Sequence, residues 1–476
     1  MRILSLCRSL YIKCSKIRRK ENILLDYSAH LAALIGSILM TSCGLTMMVA
    51  VWYSQLLKTH HHFINAFINL CTSDNLGQRT PSYAVGLRFL CLFIAGILVG
   101  YRLVNCRSRK STILASSAVF LIGWAIICCV GCRLIHSQGL LELGILVTIF
   151  SSGMTCISIP MYLVEILDTH LRQLIPMYLM LIISAGWKLG WLVVMKKKKI
   201  IIALSPVDGL ENVFVDSPEQ IWCTASLCGI ALSVLSSLGF WYIPHSPEWL
   251  YSTGYSDYTV KKCLTQLRPR LYNVESEFTD LKNSCDLTTH TLVSSLQKRN
   301  TVILLLASAL SVLAGVDTVP FYAEAYYKDC CGPIMYDMAC VFLAVSLCSF
   351  LLNGLFTRKT FLTVNGAVSC FVCISLLLYH HFELDRLNIH RTSTLLLYVH
   401  LAGTVLGGGQ INMLVAIITE TPYVCRASIT CILLCSVAIL CFIVTHLPLM
   451  FSNLAIIFYI HSIFSITYMI FSIYFL

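Results

Sequence analysis

The sequence predicts an all-α polytopic membrane protein with twelve transmembrane helices arranged as two six-helix halves. Three observations carry this. The 476 residues are 57% hydrophobic and 12% charged, with mean hydropathy +0.78, against about 25% charged residues in soluble domains. Such a composition cannot clothe a water-facing surface. Twelve apolar stretches approach the ~20 residues that a membrane-crossing helix needs. Sequence features of the first half recur in the second at a nearly constant offset.

The stretches are 29–54, 84–104, 112–132, 139–163, 173–195, 220–243, 300–322, 334–356, 360–379, 394–418, 427–448 and 453–475. They divide the chain into an N-terminal segment 1–28, a six-helix half 29–243, a polar helical linker 244–298 and a second half 299–476. The basic N-terminus lacks the long apolar core and cleavage site of a signal peptide.

Basic clusters predict the orientation. Seven Lys/Arg precede residue 21; Arg107, Arg109 and Lys110 follow the second span, and Arg172 the fourth. The linker carries Lys261, Lys262, Arg268, Arg270, Lys282, Lys298 and Arg299; Arg358 and Lys359 follow the eighth span, Arg426 the tenth. All fall on one side if both termini are cytoplasmic. Lys196–Lys199, after the fifth span, is the exception. KKCLTQLRPRL (261–271) reads as a basic helix face near anionic lipid. The expected location is the plasma membrane, as a monomer in the bilayer.

The internal repeat is explicit. SRKST (108–112) matches TRKTF (357–361), with Arg109 and Arg358 separated by 249 residues. Glu165…Arg172 matches Glu420…Arg426, at offsets of 255 and 254. Parallel repeats of this kind recur in secondary transporters, with substrate at the midplane between halves. Glu165 and Arg172 are seven residues apart, nearly two helical turns. They are expected to clamp the turn after the fourth span, and Glu420 with Arg426 to clamp its counterpart. With Arg109, Lys110, Arg358 and Lys359 they make a candidate cytoplasmic gate, a charge network that forms and breaks. Held alone, such a pair is equally a solvated interfacial contact.

These motifs resemble the sugar porter family of the major facilitator superfamily, its insect trehalose- and hexose-transporter-like members in particular. PMYLVEILDTHLR (160–172), YIPHSPEWLYSTG (242–254), AGVDTVPFY (314–322) and GGGQINMLVAIITETPYVCR (407–426) carry the resemblance, which covers roughly 29–475. It implies alternating-access transport of a hexose or trehalose, by uniport or proton symport, without a cofactor. Several family positions differ. Acids of the gate are replaced at Asn105, Gly354 and His245; Cys106, Ser108 and Leu355 depart as well. The resemblance then implies a looser inward gate. At the sugar-contact positions Met180, Ser311, Val312, Asp317, Val415 and Val437-Ala438 stand in.

The candidate substrate-binding set is Asp317, Gly315, Ser311, Tyr322, Trp187, Gln410 and Asn412. Asp317 is an ionisable group within a span, a functional-site candidate on that ground. It can bind a cationic solute, carry a coupling proton, pair with a base such as Lys188, or stand as a quiet isostere of asparagine. Lys188 can equally snorkel to the interface. Gln410 and Asn412 are placed either to meet substrate or to bridge helices. Trp187 and Tyr322 either stack on a sugar ring or pack as interfacial aromatics. A porter of another, possibly cationic, solute and a non-transporting sensor are the alternative readings.

The 24 cysteines lie mostly inside apolar runs, where they behave as small apolar side chains, and they show no paired metal-ligand spacing. Cys71 and Cys330-Cys331 fall in external loops; His60–His62 lacks companion ligands. No phosphate loop, nucleophile motif or paired catalytic carboxylates supports an enzyme, and no basic block supports a nucleic-acid partner.

Overall fold

The computed structural model describes residues 38–46, 80–135, 137–167, 171–204, 218–268, 273–285, 292–315, 331–352, 357–381, 395–396, 398–403, 405–406, 409–450 and 454–475. Among these residues every regular element is helical. Helices α1 (Thr80–Cys106), α2 (Arg109–Gly131), α3 (Gln138–Ile166), α4 (Ile175–Leu204) and α5 (Pro218–Tyr242) precede a group of short helices. Those are α6 (Pro247–Ser252), α7 (Asp257–Leu267), α8 (Val274–Cys285) and α9 (Leu292–Leu296). Then follow α10 (Arg299–Leu313), α11 (Cys331–Leu352), α12 (Arg358–His381), α13 (Gly409–Glu420), α14 (Tyr423–Met450) and α15 (Leu454–Phe475).

Seven of the described helices are long and apolar enough to cross a membrane: those in α1, α2, α3, α5, α12, α14 and α15. The outward side chains Leu98, Ile122, Leu235, Phe371, Ile432 and Ile463 are exposed, as a lipid-facing surface requires. In a bilayer core every backbone polar group must be satisfied within the protein, and helices do this segment by segment.

Helix starts follow from capping chemistry. Ser108 Oγ accepts the Ser111 N–H at 3.0 Å to open α2, and Thr357 Oγ1 accepts the Thr360 N–H at 3.3 Å to open α12. The two Arg-Lys motifs are thus the same structural object, a hydroxyl N-cap followed by two cations. Ser137, Ser246 and Ser256 open α3, α6 and α7 in the same way.

Packing places α3 at the centre. From Ser151 to Ile166 all its residues but Cys156 are buried, the pattern of a helix enclosed on every side. It packs on α1 and α2, and also meets α13 and α14. Close approach to α1 requires paired glycines. A Cβ on Gly96 would lie 2.0 Å from Phe150 O, and one on Gly153 would lie 2.2 Å from Phe93 O. Small residues at helix crossings substitute backbone contact for hydrophobic driving force in a membrane. Helices α10, α13, α14 and α15 pack on one another, and α12 packs on α15. The contacts α1–α14, α4–α11 and α4–α13 join the two sets.

Several expectations are corrected in detail. Helix α4 continues through Lys196–Lys199 to Leu204, so the lysines prolong the helix instead of ending it. Within the stretch 394–418 the described residues 395–396, 398–403, 405 and 409–418 are helical, and Gly409 has φ +52°. Within the stretch 300–322, helix α10 ends at Leu313 and Gly315 follows at φ +79°, while 316–322 lie outside the described residues. Over its described residues 261–268, the basic segment is not an open cationic face along its length. Lys261 Nζ binds Glu275 Oε2 at 2.8 Å, and Arg268 holds Glu277 through Nε–Oε2 (2.8 Å) and Nη2–Oε1 (2.5 Å). Val260, Cys263, Leu264 and Leu267 turn its apolar side inward. Cys71, Cys330 and His60–His62 lie outside the described residues.

Candidate functional site

Two constellations stand out, one at the bundle face from which α6–α9 project and one inside the second set of helices. At that face α1, α3 and α5 end and α2, α10 and α14 begin. Arg109, the first residue of α2, and Glu165, one residue before the end of α3, are brought together there. Arg109 Nε donates to Glu165 Oε1 at 3.0 Å, and Arg109 Nη1 donates to Val104 O at 2.8 Å. From the other set, Arg426 in the first turn of α14 brings Nη1 to 3.5 Å from the same Glu165 oxygen and 2.5 Å from Glu248 Oε2. Tyr423, also in that turn, has Arg109 over its ring at 4.7 Å and Arg426 at 5.7 Å from the centroid.

These groups are deeply buried: Glu165 is 2% exposed, Arg109 3%, Arg426 7% and Glu248 8%. Two carboxylates and two guanidiniums balance in charge. Desolvated charges persist only when paired this way, and removing one partner strands the others.

The expected clamps are therefore redrawn. Glu165 reaches Arg109 and Arg426 instead of Arg172; Arg172 Nε donates to Leu167 O at 3.3 Å. Arg172 is partly buried, and that burial lowers its pKa, opposed by nearby Glu248. Glu420 is exposed and forms no ion pair with a described residue, because Arg426 turns toward the other set of helices. Lys110 Nζ caps the end of α5 through Trp241 O (3.0 Å) and Ile243 O (2.6 Å). Lys359 is exposed, and Arg358 opens α12.

Glu248 was not among the expected residues. Its signal is local: Ser246-Pro247 starts a short helix, and an acid in the first turn is favoured there. It supplies an acid although His245 occupies the position where the resemblance expects one. Arg268 was also missed as a buried group: its Nη1 donates to Ile166 O at 2.7 Å, tying α7 to the end of α3.

The second constellation surrounds the end of α10. Fifteen residues rise only about 22 Å, short of the ~30 Å hydrocarbon core. Its last carbonyls therefore end within the bundle, where nothing but protein can satisfy them. His461 Nδ1 lies 2.7 Å from Leu313 O, Ser465 Oγ donates to Ala314 O at 3.2 Å, and His400 Nε2 lies 3.0 Å from Gly315 O. Three side chains from two other helical segments thus cap three consecutive carbonyls. His400, His461 and Ser465 are fully buried. Polar residues within the apolar runs 394–418 and 453–475 were their only sequence signal.

One turn back, Ser308 Oγ and Gln410 Oε1 are 2.9 Å apart, and Gln410 Nε2 lies 3.2 Å from Ser308 O and also contacts Ser311 Oγ. Gln410 is half-buried, so this amide both bridges α10 to α13 and retains an open side. Asn412 is buried in α13. Trp187 packs edge-on against Phe342 (5.2 Å, 79°) at the α4–α11 contact. Nearby, Lys188 Nζ lies 2.5 Å from Cys340 Sγ. Asp317 and Tyr322 lie outside the described residues.

Comparison with known proteins fits this geometry. Residues 39–476 match the sugar (and other) transporter family. Sugar transporter ERD6-like 8 of Arabidopsis thaliana is 24% identical over 64% of this chain and 62% of its own length. Facilitated trehalose transporter Tret1 of Culex quinquefasciatus is 26% identical over 58% of this chain and 49% of its own length. The chain thus spans about half to three-fifths of the length of these curated relatives. Among solved structures, the proton:xylose symporter XylE bound to 6-bromo-6-deoxy-D-glucose superposes with TM-score 0.74 at 14% identity, covering 93% of this chain and 95% of that one. The transporter FucP in its outward conformation superposes at 0.58 with 13% identity, covering 93% and 99%. The chain has the all-α major facilitator fold and is a multi-pass membrane protein of the sugar (and other) transporter family.

Proposed function

We propose that this protein carries a small sugar, a hexose or trehalose, across the plasma membrane by alternating access, as a monomer with the α6–α9 face in the cytoplasm. The observation that carries the reading is the buried join between Arg426 and the pair Glu165 and Glu248. It links the first and second helix sets at that face through charge-assisted contacts. Such contacts are strong when made and can be exchanged for water when the face opens. A transporter needs this at the side that is shut.

The half-open amide of Gln410, with Ser311 and Ser308, is the candidate polar wall of the sugar site. Asn412, Trp187 and Gly315, together with Asp317 and Tyr322, complete the proposed set. Sugars require many fixed donors and acceptors, since each buried hydroxyl left unpaired costs about 1–3 kcal/mol. The relatives named for trehalose and sugar transport supply the substrate class.

The test is uptake of radiolabelled glucose and trehalose in cells lacking their own carriers, with surface expression quantified. Saturable uptake that Gln410→Ala weakens supports the reading. Background uptake of both sugars at normal surface levels refutes it. Repeating the assay over a pH gradient separates uniport from proton symport.

A further inference from the structure

A cluster of thiols lies at the far end of α2. The 23 residues from Arg109 to Gly131 rise about 34 Å, so this end sits on the face opposite the ion network. Cys132 Sγ lies 3.2 Å from Cys223 Sγ of α5 and 3.8 Å from Cys128 Sγ one turn back. All three sulfurs fall within 4.8 Å of one another.

The backbone is shaped for this convergence. Cys132 N–H donates to Cys128 O at 2.8 Å, and Leu134 N–H donates to Cys129 O at 3.0 Å. Arg133 closes the turn at φ +60°, a left-handed conformation that normally goes to glycine. Cys132 is thereby folded back over its own helix. Gly131 admits the partner helix: a Cβ there would lie 2.4 Å from Cys223 N and 2.8 Å from Cys223 Cα. Any side chain at 131 would push the third sulfur away.

The number and spacing of the sulfurs suit a metal. Thiolate bonds of ~2.3 Å in tetrahedral geometry place sulfurs about 3.8 Å apart. Cys128–Cys132 stands at 3.8 Å, Cys132–Cys223 is closer at 3.2 Å, and all three sulfurs lie within 4.8 Å of one another, so small side-chain shifts reach that geometry. A disulfide uses two sulfurs and leaves the third without a role. The C-terminal end of a helix carries a partial negative charge. It disfavours bare thiolates and favours a cation among them. Cys132 is exposed while Cys128 and Cys223 are half-buried, which leaves solvent access for entry and for a fourth, water ligand. Three sulfurs without a carboxylate select soft ions over calcium or magnesium.

We propose that Cys128, Cys132 and Cys223 form a three-thiolate site for a soft metal ion of the zinc, cadmium or copper(I) class, joining α2 to α5. Each thiol gives its proton to water as its sulfur–metal bond forms, and no electrons are transferred. Binding therefore tightens as pH rises. Both helices belong to the first set, so the ion strengthens that set without bridging to the other. The proposal is independent of what the protein carries.

The test uses the full chain in detergent, kept reduced with a phosphine, and Cd(II) as probe. Ultraviolet thiolate-to-cadmium absorption should saturate at one equivalent per chain. Cd(II) should block maleimide alkylation of Cys132, mapped by peptide mass spectrometry, and raise the melting temperature, since a ligand of the native state stabilises it. Cys132→Ser and Cys223→Ser should each lose the absorption and the melting shift. Because Cys132 is exposed, its variant should keep the metal-free melting temperature of the parent. Unchanged Cys132 alkylation and melting temperature under Cd(II) would overturn the proposal. A Cys132–Cys223 disulfide in protein isolated without reductant would overturn it too, by consuming two of the three ligands.

Discussion

Arg426 Nη1 lies 3.5 Å from Glu165 Oε1, although 261 positions separate them in the chain. This contact, with Glu248 on the same guanidinium and Arg109 on the same carboxylate, closes one face of the bundle around Tyr423. Because all four charges are almost fully buried, the balance between them matters more than any single distance.

Replacing Glu165 by Gln keeps its volume and removes its charge. Arg109 then loses its ion pair, and Arg426 keeps only Glu248. Breaking a buried pair from one side costs about 3–5 kcal/mol. The expected outcome is a lower melting temperature in detergent and a large fall in sugar uptake. Glu248→Gln should cost less, because Arg426 retains Glu165. The two carboxylates share one partner, so their double variant should depart from additivity by about 0.5–3 kcal/mol. Strict additivity would mean that they act separately.

Arg172 and Arg426 offer a direct contrast. Each follows a glutamate by six or seven residues, and each looks like the base of a local clamp. Arg172 donates to one carbonyl, whereas Arg426 neutralises two buried acids. Arg172→Ala should cost about 0.5–1.5 kcal/mol and Arg426→Ala about 3–5 kcal/mol, read from thermal unfolding of the purified variants. Equal losses would return the local pairing to consideration.

This contrast marks what was legible in the sequence. Apolar runs are local, so the spans read at 112–132 and 360–379 fall on α2 and α12; the hydroxyl caps Ser108 and Thr357 that open these helices a few residues earlier are local signals of the same kind. Glu165 and Arg426 were recognisable as special because charge at the end of an apolar run needs a partner. Which partner was not legible, because i, i+7 spacing describes a continuous helix. Here α3 ends at Ile166, and Arg172 belongs to a separate short helical turn. The pairing is decided by how α14 packs against α3. His400 and His461 were missed for a related reason. Their role depends on α10 stopping at Leu313, which a single span read over 300–322 does not mark.

The end of α10 supplies its own prediction. His461→Phe keeps a large ring and removes the partner of Leu313 O; His400→Phe does the same for Gly315 O. An orphaned buried carbonyl costs about 1–3 kcal/mol. Each variant should lose about that much stability and melt earlier, and His461→Gln, which restores a donor, should recover part of the loss. Since Ser308 and Ser311 lie one turn away with Gln410, sugar affinity should weaken in the Phe variants. Unaltered melting in both would show that water or other groups take over the carbonyls.

Close helix approach can be tested at Gly153. A Cβ there meets backbone at 2.2 Å, not a flexible side chain, so α1 and α3 must separate. Overpacking of this kind costs about 1–3 kcal/mol. Gly153→Ala should lower the melting temperature, and Gly153→Leu should lower it further or prevent surface expression. Gly139 is the control, since its Cβ would meet only the Ser137 hydroxyl at 3.9 Å.

The last prediction concerns acid. His245 lies in the turn between α5 and α6, stacked on Trp249 at 5.3 Å. Burial lowers its pKa, and the charge of Lys110 lowers it further. Its unfolded value is about 6.5. Above that value the imidazole is neutral in both states, and its contribution to stability is complete. As pH falls below it, the unfolded chain takes up the proton first. Stability then declines until the lowered folded pKa is passed. A melting-temperature profile from pH 7.5 downward should therefore fall on its acid side. His245→Gln, neutral at every pH, should flatten that slope while leaving the pH 7.5 value nearly unchanged. If the slope is the same in both proteins, other groups are responsible for it.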